Sequence, residues 1–213
     1  MRSDMRILGI DPGYGLMGFG VIEKTGNDFS ACDYGSIYTN AGSPMPERLK
    51  FLYASLMDII SDTRPDEAAI EELFYNTNAK TVINVGQARG VAVLACINSG
   101  IPVSEYTPLQ IKQALTGYGR AEKRQVQLMV KSFLRLEKVP KPDDTADALA
   151  VAICHGNSSG GSGRYANAIE RALQKEREKE SMSAGKASQK ASLSKGSGFR
   201  IIREIGSDSE IVR

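Results

Sequence analysis

Five acidic side chains stand where an apolar segment would exclude them. Asp11 closes the run RILGID, and Glu71 and Glu72 close the run EAAIE. Asp144 and Asp147 lie three residues apart in PDDTADALAVAIC, a spacing that puts both on one face of a helix. Asp143 and Asp144 also have a structural use, because carboxylates at a helix N-terminus cap it and complement its dipole. Asp147 lies a turn further in, beside Ala150 and Val151. A carboxylate heading an apolar stripe must be paired, bind a metal or lie at a rim, since burying an isolated charge is prohibitive. For Asp11 the competing reading is a turn aspartate, because Asp-Pro-Gly is good turn chemistry. Strand side chains alternate, so Ala69 and Glu71 share one face and Ala68, Ile70 and Glu72 the other. Periodicity alone leaves open which glutamate meets Asp11.

Clustered carboxylates repel one another unless cations neutralise them. Oxygen donors without Cys or His suit Mg²⁺, with Mn²⁺ as the alternative. Two such ions roughly 3.5–4 Å apart favour in-line phosphoryl displacement, so the chemistry indicated is phosphodiester hydrolysis. Other chemistries are poorly supplied. The one histidine, His155, builds neither a triad nor a zinc site by itself and reads as a structural residue at a helix end. Cys32, Cys96 and Cys154 are odd in number, widely spaced and set among apolar residues, which reads as reduced cytosolic thiols.

Short elements must position these acids. Strands are expected at 6–11, 18–23, 28–38, 67–71 and 102–106. Helices are expected over Leu49, Leu52, Tyr53, Leu56 and Ile60, then at 79–98, 108–117, 121–137 and 143–154. Thr107-Pro108-Leu109-Gln110 carries a capping box, and Asp143 is placed to cap the last helix. Three strands in succession followed by β/α alternation predict one mixed five-stranded α/β sheet flanked by helices. Residues 1–157 form the expected domain. Residues 158–213 read as a basic, Ser/Gly/Lys-rich, mostly disordered tail, with a short helix at about 165–180. The linker composition GNSSGGSG begins at Gly156. No apolar run approaches the roughly 20 residues of a membrane span.

The 213 residues carry 27 Lys+Arg and 25 Asp+Glu, a net charge of +2 that hides two unlike parts. Residues 1–155 hold 16 basic and 18 acidic side chains, net −2, and the rest hold 11 and 7, net +4. Setting four acids aside for metal leaves 16 against 14, so local placement governs any nucleic-acid contact. Residues 117–131 carry Arg120, Lys123, Arg124 and Lys131 against the single acid Glu122. With Lys112 on the preceding helix they form the expected phosphate-contacting face. Phe74 and Tyr75 follow the glutamates in a loop-like stretch and offer rings for an unpaired base, with core packing as the alternative. Lys80 and Arg89 are weaker candidates for backbone contact.

The stretches ILGIDPGYGLMGFGVIE, AAIEELF, GQARGVAVLA, GYGRAEKRQVQ and DDTADALAVAICH, in order over about residues 5–155, resemble the RuvC family of bacterial Holliday-junction resolvases. The resemblance implies an RNase H-like fold and catalytic, metal-binding acids at Asp11, Glu71, Asp144 and Asp147. It favours Glu71 over Glu72, Phe74 for stacking, and Lys123 as the leading basic contact. It further implies a cytoplasmic homodimer that nicks two opposite strands of a four-way DNA junction with Mg²⁺, two ions per site. The products would be 5′-phosphate and 3′-hydroxyl ends, and the RuvA–RuvB branch-migration complex would be a partner. Helix 79–98 would supply the dimer seam through Val82, Val85, Gly86, Gly90 and Val93. Some relatives have histidine where Asp144 stands, and the tail beyond about residue 160 has no recognised counterpart. Rival readings are a sugar-kinase or actin-like ATPase, a non-catalytic junction-binding module, and a related nuclease acting on RNA or flaps. The ATPase would need a second domain that 155 residues do not supply, and the binding module would be expected to have lost an acid.

Overall fold

Alternating apolar runs joined by tight turns give an antiparallel meander of β1 (Met5–Asp11), β2 (Leu16–Thr25) and β3 (Asp28–Tyr38). Helix α1 (Met45–Thr63) then leads to β4 (Glu67–Glu71), and α2 (Ala79–Asn98) leads to β5 (Val103–Tyr106). Three helices close the chain: α3 (Pro108–Thr116), α4 (Lys123–Phe133) and α5 (Asp143–Ser158). The computed structural model describes residues 4–72 and 79–158, with the side chains of Ala79 and Lys80 excepted. Phe74, Tyr75, the tail from residue 159 and its expected short helix lie outside the described residues. Among the described residues no helix is long and apolar enough to cross a membrane.

The sheet runs in the order β3-β2-β1-β4-β5, with β4 parallel to β1 and β5 parallel to β4. This is the mixed five-stranded sheet expected. Its two faces sort by strand alternation. Leu8, Ile10, Ala68 and Ile70 face a core shared with Leu52, Leu56, Ala92 and Cys96 of α1 and α2. Ile7, Ile22 and Ala69 face the other core, built with α3, α4 and α5.

Helix α5 lies directly on the sheet because glycines make room for it. A Cβ on Gly9 would stand 2.1 Å from the Ala148 carbonyl oxygen, and one on Gly18 would stand 2.0 Å from that of Asp144. Any side chain at either position would lift α5 off β1 and β2. The close seat buries the apolar side of α5, with Leu149, Val151 and Ile153 fully covered.

Among the details of the helix ends that differ from expectation, three have clear physical reasons. Helix α4 stops at Phe133 rather than residue 137, because Arg135 takes a left-handed conformation (φ +52°) that ends the helical path. Helix α5 begins at Asp143 itself, so Asp143 lies in the first turn rather than serving as the cap. At its far end α5 runs on through residues 156–158, into the Gly/Ser-rich stretch read as linker. Gly156 is buried there against Phe29 and Ile7, and Ser158 Oγ donates to the Cys154 carbonyl at 2.8 Å.

Candidate active site

Parallel register decides between the two glutamates. Ile10 pairs with Ile70, so Asp11 and Glu71 are the next residues on adjacent strands and point to the same side, toward α5. Asp11 and Glu71 are close enough to perturb each other's titration, while strand alternation turns Glu72 to the opposite face. Helix α5 then carries Asp144 and Asp147 to the same edge, since its first turns rest on β2 at Gly18. All four sequence-identified acids are therefore neighbours.

Their electrostatics report the crowding. Asp11 is pushed up to about 8 by burial first, then by the charges of Glu71, Asp147 and Asp144, with Lys123 opposing. Glu71 is pushed up to about 7 by burial and Asp147, against the lowering effects of its bond to Asp11 and of Lys123 and Lys112. Burial also raises Asp147, which Lys123 counteracts. The cluster is short of positive charge, and its donors are oxygens alone, the set a hard divalent cation prefers. Among the described residues no three acidic, His or Cys side chains converge on one point as they stand. Asp147 is instead engaged by Lys123, whose Nζ lies 2.8 Å from Oδ2.

Beside the acids lies a pocket of about 180 Å³, with Glu71 and Asp147 on its wall, Lys112 and Lys123 on its rim, and Ile111 and Val126 lining it. Helix α3, which presents Lys112, begins at the expected capping box: Thr107 Oγ1 accepts from Gln110 N at 3.2 Å and Gln110 Oε1 accepts from Thr107 N at 2.8 Å. Arg120 and Arg124 are exposed near the start of α4. Lys112, Arg120, Lys123 and Arg124 thus belong to the α3–α4 region that borders the acids. Lys123 faces inward to Asp147 and Asp143 rather than outward, while Arg89 is held by Glu105 and is only 23% exposed.

Two further contributors border the site: Asp143, read from the sequence only as a helix-terminus acid, and Arg48, which carried no local signal. Asp143 joins Lys141 Nζ (2.7 Å) to Lys123 Nζ (3.5 Å), and Lys141 holds its carboxyl below the usual range. Arg48 clamps the turn that follows Asp11: its Nη2 donates to the Tyr14 carbonyl (3.0 Å), its Nε to Thr39 Oγ1 (2.8 Å), and its guanidinium stacks 4.7 Å from the Tyr14 ring centroid. The Arg48 hydrogen bonds join residues nine and 34 positions apart, so only the fold reveals them. His155 is structural, as expected. It is buried between Tyr106 Oη (2.8 Å from Nδ1) and Glu67 Oε2 (2.5 Å from Nε2), toward the end of α5 away from the acids. The cysteines are all free, and burial pushes the Cys96 and Cys154 thiols up to about 12.

A mixed five-stranded sheet with helices on both faces, and acids drawn from β1, β4 and α5 to one edge, defines a domain of the RNase H-like class. Comparison with known proteins narrows it. Residues 7–155 match the family model for crossover junction endodeoxyribonuclease RuvC. The chain is 60% identical over 155 residues to the crossover junction endodeoxyribonuclease RuvC of Caldanaerobacter subterraneus subsp. tengcongensis, spanning 73% of this chain and 94% of that protein. It is similar to the solved structure of Thermus thermophilus RuvC, with 35% identity, a TM-score of 0.68, and coverage of 73% of this chain and 95% of that one. It is likewise similar to T. thermophilus RuvC in complex with a Holliday junction substrate, with 32% identity, a TM-score of 0.69, and coverage of 74% and 97%. The chain belongs to the RuvC family of crossover junction endodeoxyribonucleases, whose nucleases are metal-dependent.

Proposed function

We propose that this chain resolves Holliday junctions, nicking two opposite strands of a four-way DNA junction symmetrically as a homodimer in the cytoplasm. The observation that carries the reading is the gathering of Asp11, Glu71, Asp144 and Asp147 at one sheet edge, next to a basic rim. Family membership supports the substrate, since a relative of 32% identity is known in complex with a Holliday junction. It also implies the RuvA–RuvB branch-migration complex as a partner. The family match over residues 7–155 supports residues 1–157 as the nuclease domain, with residues 158–213 a basic, Ser/Gly/Lys-rich tail by composition.

Asp11, Glu71, Asp144 and Asp147 would hold Mg²⁺, two ions per site, with Mn²⁺ as the alternative. The bound ions would supply an activated water and charge stabilisation at the leaving oxygen. The chain's own groups do the rest. The four acids provide the negative field that selects a divalent cation, and the seat of α5 on Gly9 and Gly18 fixes their spacing. Lys112, Arg120, Lys123 and Arg124 hold the DNA backbone beside the acids, with Phe74 stacking on a base at the junction centre. In-line displacement at phosphorus leaves 5′-phosphate and 3′-hydroxyl ends.

The test uses a synthetic four-way junction with Mg²⁺ and with chelator. Asp11→Asn and Asp147→Asn are expected to bind the junction and to lose at least about a hundredfold in paired nicking, the effect of removing a group that stabilises transition-state charge. Full cleavage by either variant refutes the assignment.

A further inference from the structure

Lys123 is a basic residue doing something other than reaching for solvent. It opens α4, and its side chain is 54% exposed, yet its ammonium lies 2.8 Å from Asp147 Oδ2 and 3.5 Å from Asp143 Oδ2. The two acids are not equivalent partners. Asp143 already has Lys141 at 2.7 Å and sits 43% exposed, whereas Asp147 is 26% exposed and Lys123 is its one ion-pair partner among the described residues. Asp147 also takes repulsion from Asp144 and Asp143 and itself burdens Asp11 and Glu71. Lys112 shares the same pocket rim without an ion pair to any described acid. The cluster has thus taken one ammonium as counter-charge, on an acid assigned to metal. Lysine suits a contact that must be surrendered: its charge is compact, its stem is flexible, and it makes no two-pronged bond as arginine would.

We propose that Lys123 is the exchangeable counter-ion of the carboxylate site, holding Asp147 in the cation-free protein and yielding it when a divalent cation binds. This rests on the metal-dependent reading above. Lys123 therefore lowers the cation affinity of the DNA-free protein while keeping Asp147 neutralised and in place. Its released ammonium remains on the rim it shares with Lys112, where a phosphate would pass.

Calorimetric titration of MnCl₂ into the full chain without DNA tests this, using wild type, Lys123→Met, Lys123→Gln, Lys112→Met and Asp147→Asn. Both Lys123 variants are expected to bind Mn²⁺ about tenfold more tightly than wild type, the change produced by losing one competing charge-assisted hydrogen bond. Lys112→Met, which removes the same charge but no bond, is expected to stay within about threefold, the scale of a partly screened surface charge. Asp147→Asn is expected to bind more weakly. Unchanged or weaker binding in both Lys123 variants, with wild-type binding intact, overturns the exchange and leaves the metal-dependent reading standing. An equal gain in Lys112→Met also overturns it, by showing a bulk charge effect. No Mn²⁺ binding by any of the proteins overturns both readings.

Discussion

At the scale of single residues, four carboxylates and two lysines set the behaviour of the site, and Asp11 is the most perturbed of them. Its pKa stands at about 8 instead of the ordinary 3.8, so the folded protein holds that proton more tightly than the unfolded chain. The stabilising contribution of protonated Asp11 therefore falls as pH rises between about 4 and 8, because the proton released leaves an unwanted charge in the folded state. Asp11→Asn removes this liability. In chelator at pH 8.5 it is expected to melt about 3 °C above wild type, the shift that about 1 kcal/mol produces in a domain of this size. The gap is expected to close toward pH 4, and a gap indifferent to pH would count against the shift. The importance of Asp147 was legible in the sequence, since a carboxylate heading the stripe of Ala150 and Val151 needs a partner. That its partner is Lys123 was not legible, because the contact joins two helices across 24 residues and neither residue type specifies the other. The choice of Glu71 was legible only through family resemblance; the parallel register of β1 and β4 supplies the physical reason.

At the scale of elements, the site depends on how closely α5 approaches the sheet. Strand and helix order could be read from periodicity because both cores are well segregated, one behind Ile10 and Ile70 and the other behind Ile7 and Ala69. The role of Gly18 could not, since GFG in a strand looks permissive until α5 is placed above it. A methyl group there would meet backbone atoms of Asp144, at 2.0 Å and 2.5 Å, that have no rotamer to escape through. Gly18→Ala is expected to cost about 3 kcal/mol, the upper range of ordinary overpacking. The protein that still folds should nick poorly, because Asp144 and Asp147 move away from Asp11. Melting temperature and junction cleavage measured on the same preparation check both parts; a stable, fully active Gly18→Ala would show that α5 does not need this seat. The helix ends were illegible for related reasons. A left-handed Arg135 carries no sequence signal for a stop, and burial of Gly156 against Phe29 overrides its linker-like composition.

At the scale of the whole molecule, the outer side of α2 raises the question of what covers it. The sequence placed a packing seam on Val82, Val85, Gly86, Gly90 and Val93, but the four residues other than Gly90 are half-buried. The exposed stripe runs instead through Ile83, Gly90, Leu94 and Ile97, with the three side chains 62%, 51% and 56% exposed. These positions recur at helical spacing, and Gly90 has open space where a Cβ would stand, so a second helix can approach closely. A two-fold dimer formed through this stripe would set two acid clusters against a substrate that is itself nearly two-fold symmetric. Each cluster draws its acids from one chain, so dimer loss and site loss are separable. Leu94→Glu puts a charge at the centre of the stripe without touching β1, β4 or α5. It is expected to sediment as a monomer at micromolar concentration, where wild type is expected to sediment as a dimer. On a four-way junction it is expected to retain single nicks while losing paired, symmetric cleavage by at least about tenfold, because each nick would then need a separate encounter. A wild-type monomer would refute the dimer itself, and paired cleavage undiminished in Leu94→Glu would remove α2 from it and require another surface to bring the two sites together.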